Sequence, residues 1–130
     1  MRLGIVVAEF NKGMTEQMLA TAKKTAKSLN VDIAEVKWVP GVYDMPLQIK
    51  RMLPRVDAVA LLGVVKKGAT AHDQIVAENT ARLAADLSLE YDKPVTLGVI
   101  GHGVSLDDAK ARLDEYAERA VKAAHKLVTG

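Results

Sequence analysis

Cysteine is missing from the 130 residues altogether, so the chain has no disulfide framework, no thiolate nucleophile and no sulfur-ligated metal. A chain without thiols suits the cytoplasm, which is the location expected for it. Aromatics are scarce at 4%, with a single Phe and a single Trp, so an aromatic at a strand end says more here than usual. Neither sign of charge dominates: 18 Lys and Arg against 16 Asp and Glu give a net charge of +2. The basic residues are scattered over helical faces, which is not a nucleic-acid footprint, so no nucleic-acid partner is expected. Long apolar runs are lacking too. The longest, residues 56–65, is interrupted by Asp57 and is far too short to span a bilayer. Residues 1–9 lead into a strand without a secretory pattern, so no membrane partner is expected. Three scattered histidines without ligand spacing make no metal site, and no cofactor is expected.

What remains is ordinary for a folded domain: 49% apolar and 26% charged residues, in a length that fits one domain over residues 1–130. Continuously apolar or alternating segments exchange with segments of helical period, the pattern of βαβ units around a parallel sheet. Four strands are expected, at residues 3–10, 31–39, 58–65 and 95–100, with four helices. The first helix carries Met14, Met18, Ala22, Ala26 and Leu29, and a short one spans residues 45–53, with Pro46 in its first turn and Pro54 at its end. The third spans residues 73–91. The last runs to about Val128, with Leu106, Ala109, Leu113, Tyr116, Ala120, Ala124 and Leu127 as its buried stripe. Gly101-His102-Gly103 reads as the turn before it, and Ser105 with Asp108 as an approximate capping box.

Right-handed crossovers bring the carboxyl ends of all four strands to one rim. Phe10-Asn11, Pro40-Gly41-Val42, residues 68–72 and residues 97–101 therefore meet there. The segment from Gly63 to Asp73 combines a glycine, the Thr70 hydroxyl, backbone N–H groups at a helix start and the His72 imidazole, which together suit a phosphate and a proton transfer. Taken singly, each residue has a plainer reading. Phe10 reads as a core aromatic, Asn11 and Asp44 as helix caps, His72 as a cap or surface residue, Leu97 as core and Arg112 as a solvated side chain.

As an ordered set these residues resemble the lumazine synthase family, and most of all its shorter archaeal-type members. The marks are Phe10-Asn11, then Val39-Pro40-Gly41-Val42-Tyr43-Asp44-Met45-Pro46, then Lys67-Gly68-Ala69-Thr70-Ala71-His72, and Pro94-Val95-Thr96-Leu97-Gly98-Val99 in the fourth strand. The resemblance covers nearly the whole chain. It implies a single-domain, flavodoxin-like three-layer α/β sandwich with a four-stranded parallel sheet flanked by helices. It also implies a transferase of riboflavin biosynthesis, whose small-molecule substrates are an aminoribityl-pyrimidinedione and 3,4-dihydroxy-2-butanone 4-phosphate, condensed to 6,7-dimethyl-8-ribityllumazine.

The resemblance further implies roles at matching positions. Phe10 would stack on the pyrimidine ring, with Asn11 beside it. Gly41, Val42 and Asp44 would hold the ring and the ribityl hydroxyls, although many members carry Glu where this chain has Asp44. Val64, Val65 and Lys67 would line the same rim, Gly68, Ala69 and Thr70 would hold the phosphate, and His72 would be the acid/base. Leu97 stands where an aromatic commonly covers the ring, and Asp73 where an aromatic commonly follows the histidine. Arg112, taken as seven residues into the last helix, would bind phosphate from the adjacent subunit. The implied assembly is a homo-oligomer built from pentamers, in some members an icosahedral shell, with sites between subunits. Two other readings stay open at this point, an archaeal-type riboflavin synthase and a non-catalytic flavin-binding shell protein. Thr70 and His72 argue against the first, and the intact set of site residues argues against the second.

Overall fold

The computed structural model describes residues 1–68 and 72–130. Its frame is a parallel sheet in the order β2-β1-β3-β4. The two central strands are the two continuously apolar runs: β1 (Arg2–Ala8) is buried from Leu3 onward, and β3 (Ala58–Lys66) is buried up to Val65. Only a strand covered on both faces can dispense with polar alternation. The edge strands, β2 (Asp32–Val39) and β4 (Val95–Val104), mix exposed and buried positions accordingly.

Alternate residues of each central strand feed opposite cores, as the pleat requires. Leu3, Ile5, Val7, Ala60, Leu62 and Val64 pack against α1 (Lys12–Ser28) and α5 (Leu113–Thr129). Val6, Ala8, Val59, Leu61 and Val65 pack on the other side against α2 (Met45–Met52) and α3 (His72–Tyr91). The result is the three-layer, flavodoxin-like α/β sandwich that the family resemblance implies, built on the parallel sheet that the sequence pattern predicts. On the first face, Asp114 at the start of α5 accepts hydrogen bonds from Thr21 Oγ1 at 2.6 Å and Gln17 Nε2 at 3.3 Å of α1. The Thr21 hydroxyl above all, with Gln17 and the Lys24 charge, holds the Asp114 carboxyl below its ordinary pKa.

Several expectations need correction. β1 stops at Ala8 rather than Phe10, because the chain turns at Asn11, whose φ of 63° is left-handed. β4 does not end at Ile100. It continues through Gly101, His102 and Gly103 to Val104, and the expected turn is a shift of register, from Val65↔Gly101 to Lys66↔Val104. Glycine is needed there: Gly101 has φ +98°, and a Cβ would lie 2.0 Å from the Val65 carbonyl oxygen.

The single last helix is two, α4 (Leu106–Lys110) and α5, giving five α-helices among the described residues instead of four. Ser105 caps α4 as expected, its hydroxyl accepting the Asp108 N–H at 3.2 Å. Across the break at 111–112, Ala109, Leu113, Ala120 and Ala124 are buried as expected, joined by Ala117 and Val121, while Leu106 and Leu127, expected in the core, are exposed. Arg112 is the N-cap of α5, not a residue inside a helix. Among the described residues no helix is long and apolar enough to cross a membrane.

Candidate active site

In a sheet of this order, the chain leaves β1 and β3 in opposite directions, and the crevice beyond their carboxyl ends is the natural ligand site. A concavity of about 330 Å³ lies there. Phe10 contributes from the end of β1, Gly41, Val42 and Tyr43 from the turn after β2, and Val64, Val65, Lys66 and Gly68 from the end of β3. His72, Asp73 and Val76 close it from the first turns of α3.

Local chemistry holds this rim in shape. Glu9 N–H donates to the Val39 carbonyl at 2.7 Å and Phe10 N–H to the Pro40 carbonyl at 3.0 Å, which joins the exits of β1 and β2. Asn11 does not cap α1 with its side chain. Its amide donates instead to the Val64 carbonyl at 3.3 Å, tying the exit of β1 to that of β3. Asp44 likewise makes no side-chain cap to α2; its Oδ2 accepts the Gly41 N–H at 2.9 Å, closing the turn after Pro40 on itself. The start of α3 is tied to β4, since Asp73 Oδ2 accepts the Gly103 N–H at 3.1 Å and Glu78 lies 3.7 Å from His102 Nε2.

The walls of the cavity are mostly apolar. Phe10 is 63% exposed, so it is not the core aromatic that composition alone favours; it stands open at the mouth. Polar groups gather at the α3 side, where His72 and Asp73 sit at the N-terminus of a 20-residue helix. Such a terminus presents N–H groups and positive potential to an anion. A flat heterocycle against Phe10 and the valines, with an anionic tail toward α3, is the ligand shape that this distribution suits. Among the described residues no three His, Asp or Glu side chains are grouped to hold a metal ion.

Of the residues singled out in the sequence, Phe10, Gly41, Val42, Val64, Val65, Gly68 and His72 meet around this cavity. Ala69 and Thr70 lie outside the described residues. Asn11 faces a second concavity, of about 470 Å³, shared with Lys12, Gln17 and Lys110 on the α1 and α5 side. Lys67 is exposed and does not line the cavity, which has Lys66 instead. Asp44 is exposed just behind the turn. Leu97 is not a core leucine; it is 47% exposed, over a small recess lined by Val42, Thr80 and Val99. Arg112, at the junction of α4 and α5, is exposed and outside the subunit's own cavity. Tyr43, Lys66, Asp73 and Val76 line the cavity without having been singled out as site residues. Val76 was recoverable, because it lies one helical turn beyond His72 on the same face.

A family model described as 6,7-dimethyl-8-ribityllumazine synthase matches residues 1–129. A protein of that name from Saccharolobus islandicus (strain L.S.2.15 / Lassen #1) is 57% identical over 129 residues, covering 98% of this chain and 84% of its own. Its namesake from Saccharolobus solfataricus is 56% identical over 129 residues, with the same coverage of 98% and 84%. A third, from Methanobrevibacter smithii, is 54% identical over 127 residues, covering 96% of this chain and 91% of its own.

Proposed function

The chain belongs to the 6,7-dimethyl-8-ribityllumazine synthase family, and from that premise we propose that the cavity between the ends of β1 and β3 is where it condenses the aminoribityl-pyrimidinedione with 3,4-dihydroxy-2-butanone 4-phosphate. The observation that carries this reading is the convergence of Phe10, Val42, Gly68 and His72, from four separate segments, on one mostly apolar cavity with its polar end at a helix start.

In this reading the pyrimidine stacks on Phe10 and is flanked by Val64 and Val65, with Asn11 at its edge. Gly41 and Val42 offer backbone groups, and the second carboxylate oxygen of Asp44 accepts from a ribityl hydroxyl. Gly68, Ala69 and Thr70 hold the phosphate with Lys67 nearby, favoured by close backbone approach and the α3 dipole. The pyrimidine amine adds to the ketone carbonyl and water leaves as the imine forms. A carbon-bound proton is then removed as the phosphate departs with the C–O bonding pair, the resulting enol becomes a ketone, and the ribityl-bearing nitrogen adds to that carbonyl and expels a second water as the ring closes to the lumazine. His72 exchanges protons in the addition and elimination steps.

Leu97 and Arg112 belong in this scheme to the site of a neighbour. Each is exposed and outside the subunit's own cavity. An exposed guanidinium is well suited to a phosphate delivered across an interface. The proposed assembly is a pentamer or a multiple of it, acting in the cytoplasm.

The test is to mix the purified protein with both substrates, without added metal, and follow lumazine absorbance and phosphate release. One phosphate released per lumazine formed is the expected result. Silence from a folded and assembled protein would overturn the reading in favour of a riboflavin synthase or a flavin-binding shell.

A further inference from the structure

We propose that Thr80 is a positioning residue for the pyrimidine substrate: its buried hydroxyl fixes the Val42 carbonyl and so sets the backbone of residues 41–44 over the cavity. The inference rests on the function proposed above and concerns a residue outside the cavity itself.

Thr80 lies on α3, eight residues beyond His72 and therefore about 12 Å along the helix. It is 1% exposed, and its Oγ1 donates to the Val42 carbonyl at 2.9 Å. A helical threonine ordinarily satisfies its hydroxyl one turn back in its own helix. Thr25 does so with the Thr21 carbonyl at 2.9 Å, and Thr129 with the His125 carbonyl at 2.7 Å. Thr80 instead crosses to an element 38 residues away in sequence.

Val42 is gripped from the opposite side as well. A Cβ at Gly63 would stand 2.7 Å from Val42 Cγ2, so the missing side chain in β3 is the room that Val42 occupies. The Val42 carbonyl also accepts the Met45 N–H, which starts α2. Its neighbours Gly41 and Tyr43 both line the cavity, and Gly41 N–H is already aimed at Asp44. Loss of the Thr80 hydroxyl would leave the Val42 carbonyl held by the Met45 N–H alone, and the peptide planes of residues 41–43 could then shift, moving the groups that face the ring while leaving His72 and Gly68 in place. A hydroxyl that merely satisfies itself in the core would affect stability alone.

The experiment is steady-state kinetics on the assembled enzyme, with each substrate varied in turn, for wild type, Thr80→Val and Thr80→Ser, alongside thermal melts. Thr80→Val should raise the KM for the pyrimidine by about three- to tenfold, the effect of one lost buried hydrogen bond, with the KM for the butanone phosphate and kcat within about twofold. Thr80→Ser, which keeps the donor, should return the pyrimidine KM to within about twofold of wild type. Gly63→Ala, which presses on Val42 from below and leaves the hydroxyl intact, should raise the same KM. An altered melting temperature with an unchanged pyrimidine KM overturns the proposal, as does a Ser variant as impaired as the Val variant. Should Thr80→Val fail to fold, an unchanged pyrimidine KM in Gly63→Ala overturns it. An inactive wild type overturns the functional reading as well, whereas an active wild type with unchanged variants overturns this inference alone.

Discussion

α5 turns Leu113, Ala117, Ala120, Val121 and Ala124 into the core in consecutive turns, whereas α3, the longer helix, buries only Thr80 and Ala84 and leaves Ile75, Leu83 and Leu89 exposed. Both flank the same sheet, from opposite sides. The first helix completes a hydrophobic core, and its buried stripe needs nothing beyond its own subunit, Leu127 being its one exposed large apolar residue. The second carries a cavity at its first turn and apolar side chains that its own sheet does not cover. Fold stability and site formation are thus divided between the two faces, and apolar residues on the α3 side are surplus to the monomer's core. They are what a neighbouring subunit would cover in the proposed assembly.

The sharpest way to break this division is at the start of α3. His72→Ala should slow turnover by about 10²- to 10⁴-fold if the imidazole is the acid/base, with the thermal melt little changed. A loss of less than about tenfold would return His72 to a binding or capping role. The second test sets the two helices against each other. Leu113→Ala should cost about 2 to 5 kcal/mol in chemical denaturation, because it opens a void in a closed core, while Leu89→Ala on α3 should cost about 0.5 kcal/mol or less in the dissociated subunit. Comparable losses would remove the contrast.

A third test asks whether the α5 side reaches a neighbour's site. Arg112→Ala should raise the KM for the butanone phosphate severalfold and leave the pyrimidine KM nearly unchanged. Mixed oligomers of the Arg112 and His72 variants should then regain activity, because some interfaces combine the intact half of each. No recovery in verified mixed oligomers would confine both residues to one subunit.

The smallest expected effect concerns the α1–α5 contact. The Asp114 carboxyl is held below its ordinary pKa chiefly by the Thr21 hydroxyl. Its contribution is therefore complete above the unfolded-state value and is lost as the pH falls through the folded-state value. Thr21→Val should lower stability slightly at neutral pH, and the gap from wild type should close in acid. A gap that persists at low pH would show that packing, not the carboxylate contact, was removed.

The same division explains what the sequence made legible. β1 and β3 could be read because strands covered on both faces are apolar at every position, and the helical stripe of α1 because its apolar positions all serve one core, shared with the sheet and α5. Phe10, Val42, Val64, Gly68 and His72 could be placed on one rim because parallel topology puts strand ends together. The pause at 111–112 could not be read, since Ala and Arg are both good helix formers and local propensity there favours continuing. Nor could the extension of β4, where a Gly-His-Gly segment has the composition of a turn but keeps strand pairing through Gly101. Asp44 and Asn11 carried cap chemistry in the sequence, but the Asp44 carboxylate accepts the Gly41 N–H of the preceding turn and a tertiary hydrogen bond draws Asn11 to Val64. Tyr43 and Lys66 had no period or motif role of their own to mark them as lining residues.

Asn11 carries a further consequence. Its left-handed backbone is one that glycine adopts without strain, and its side chain supports the rim rather than the helix it precedes. Asn11→Gly should therefore leave the melting temperature near that of wild type while loosening the mouth of the cavity. At this position, heat resistance and ligand affinity would vary independently, so a screen for thermostable variants would pass over a residue that a screen for binding would retain.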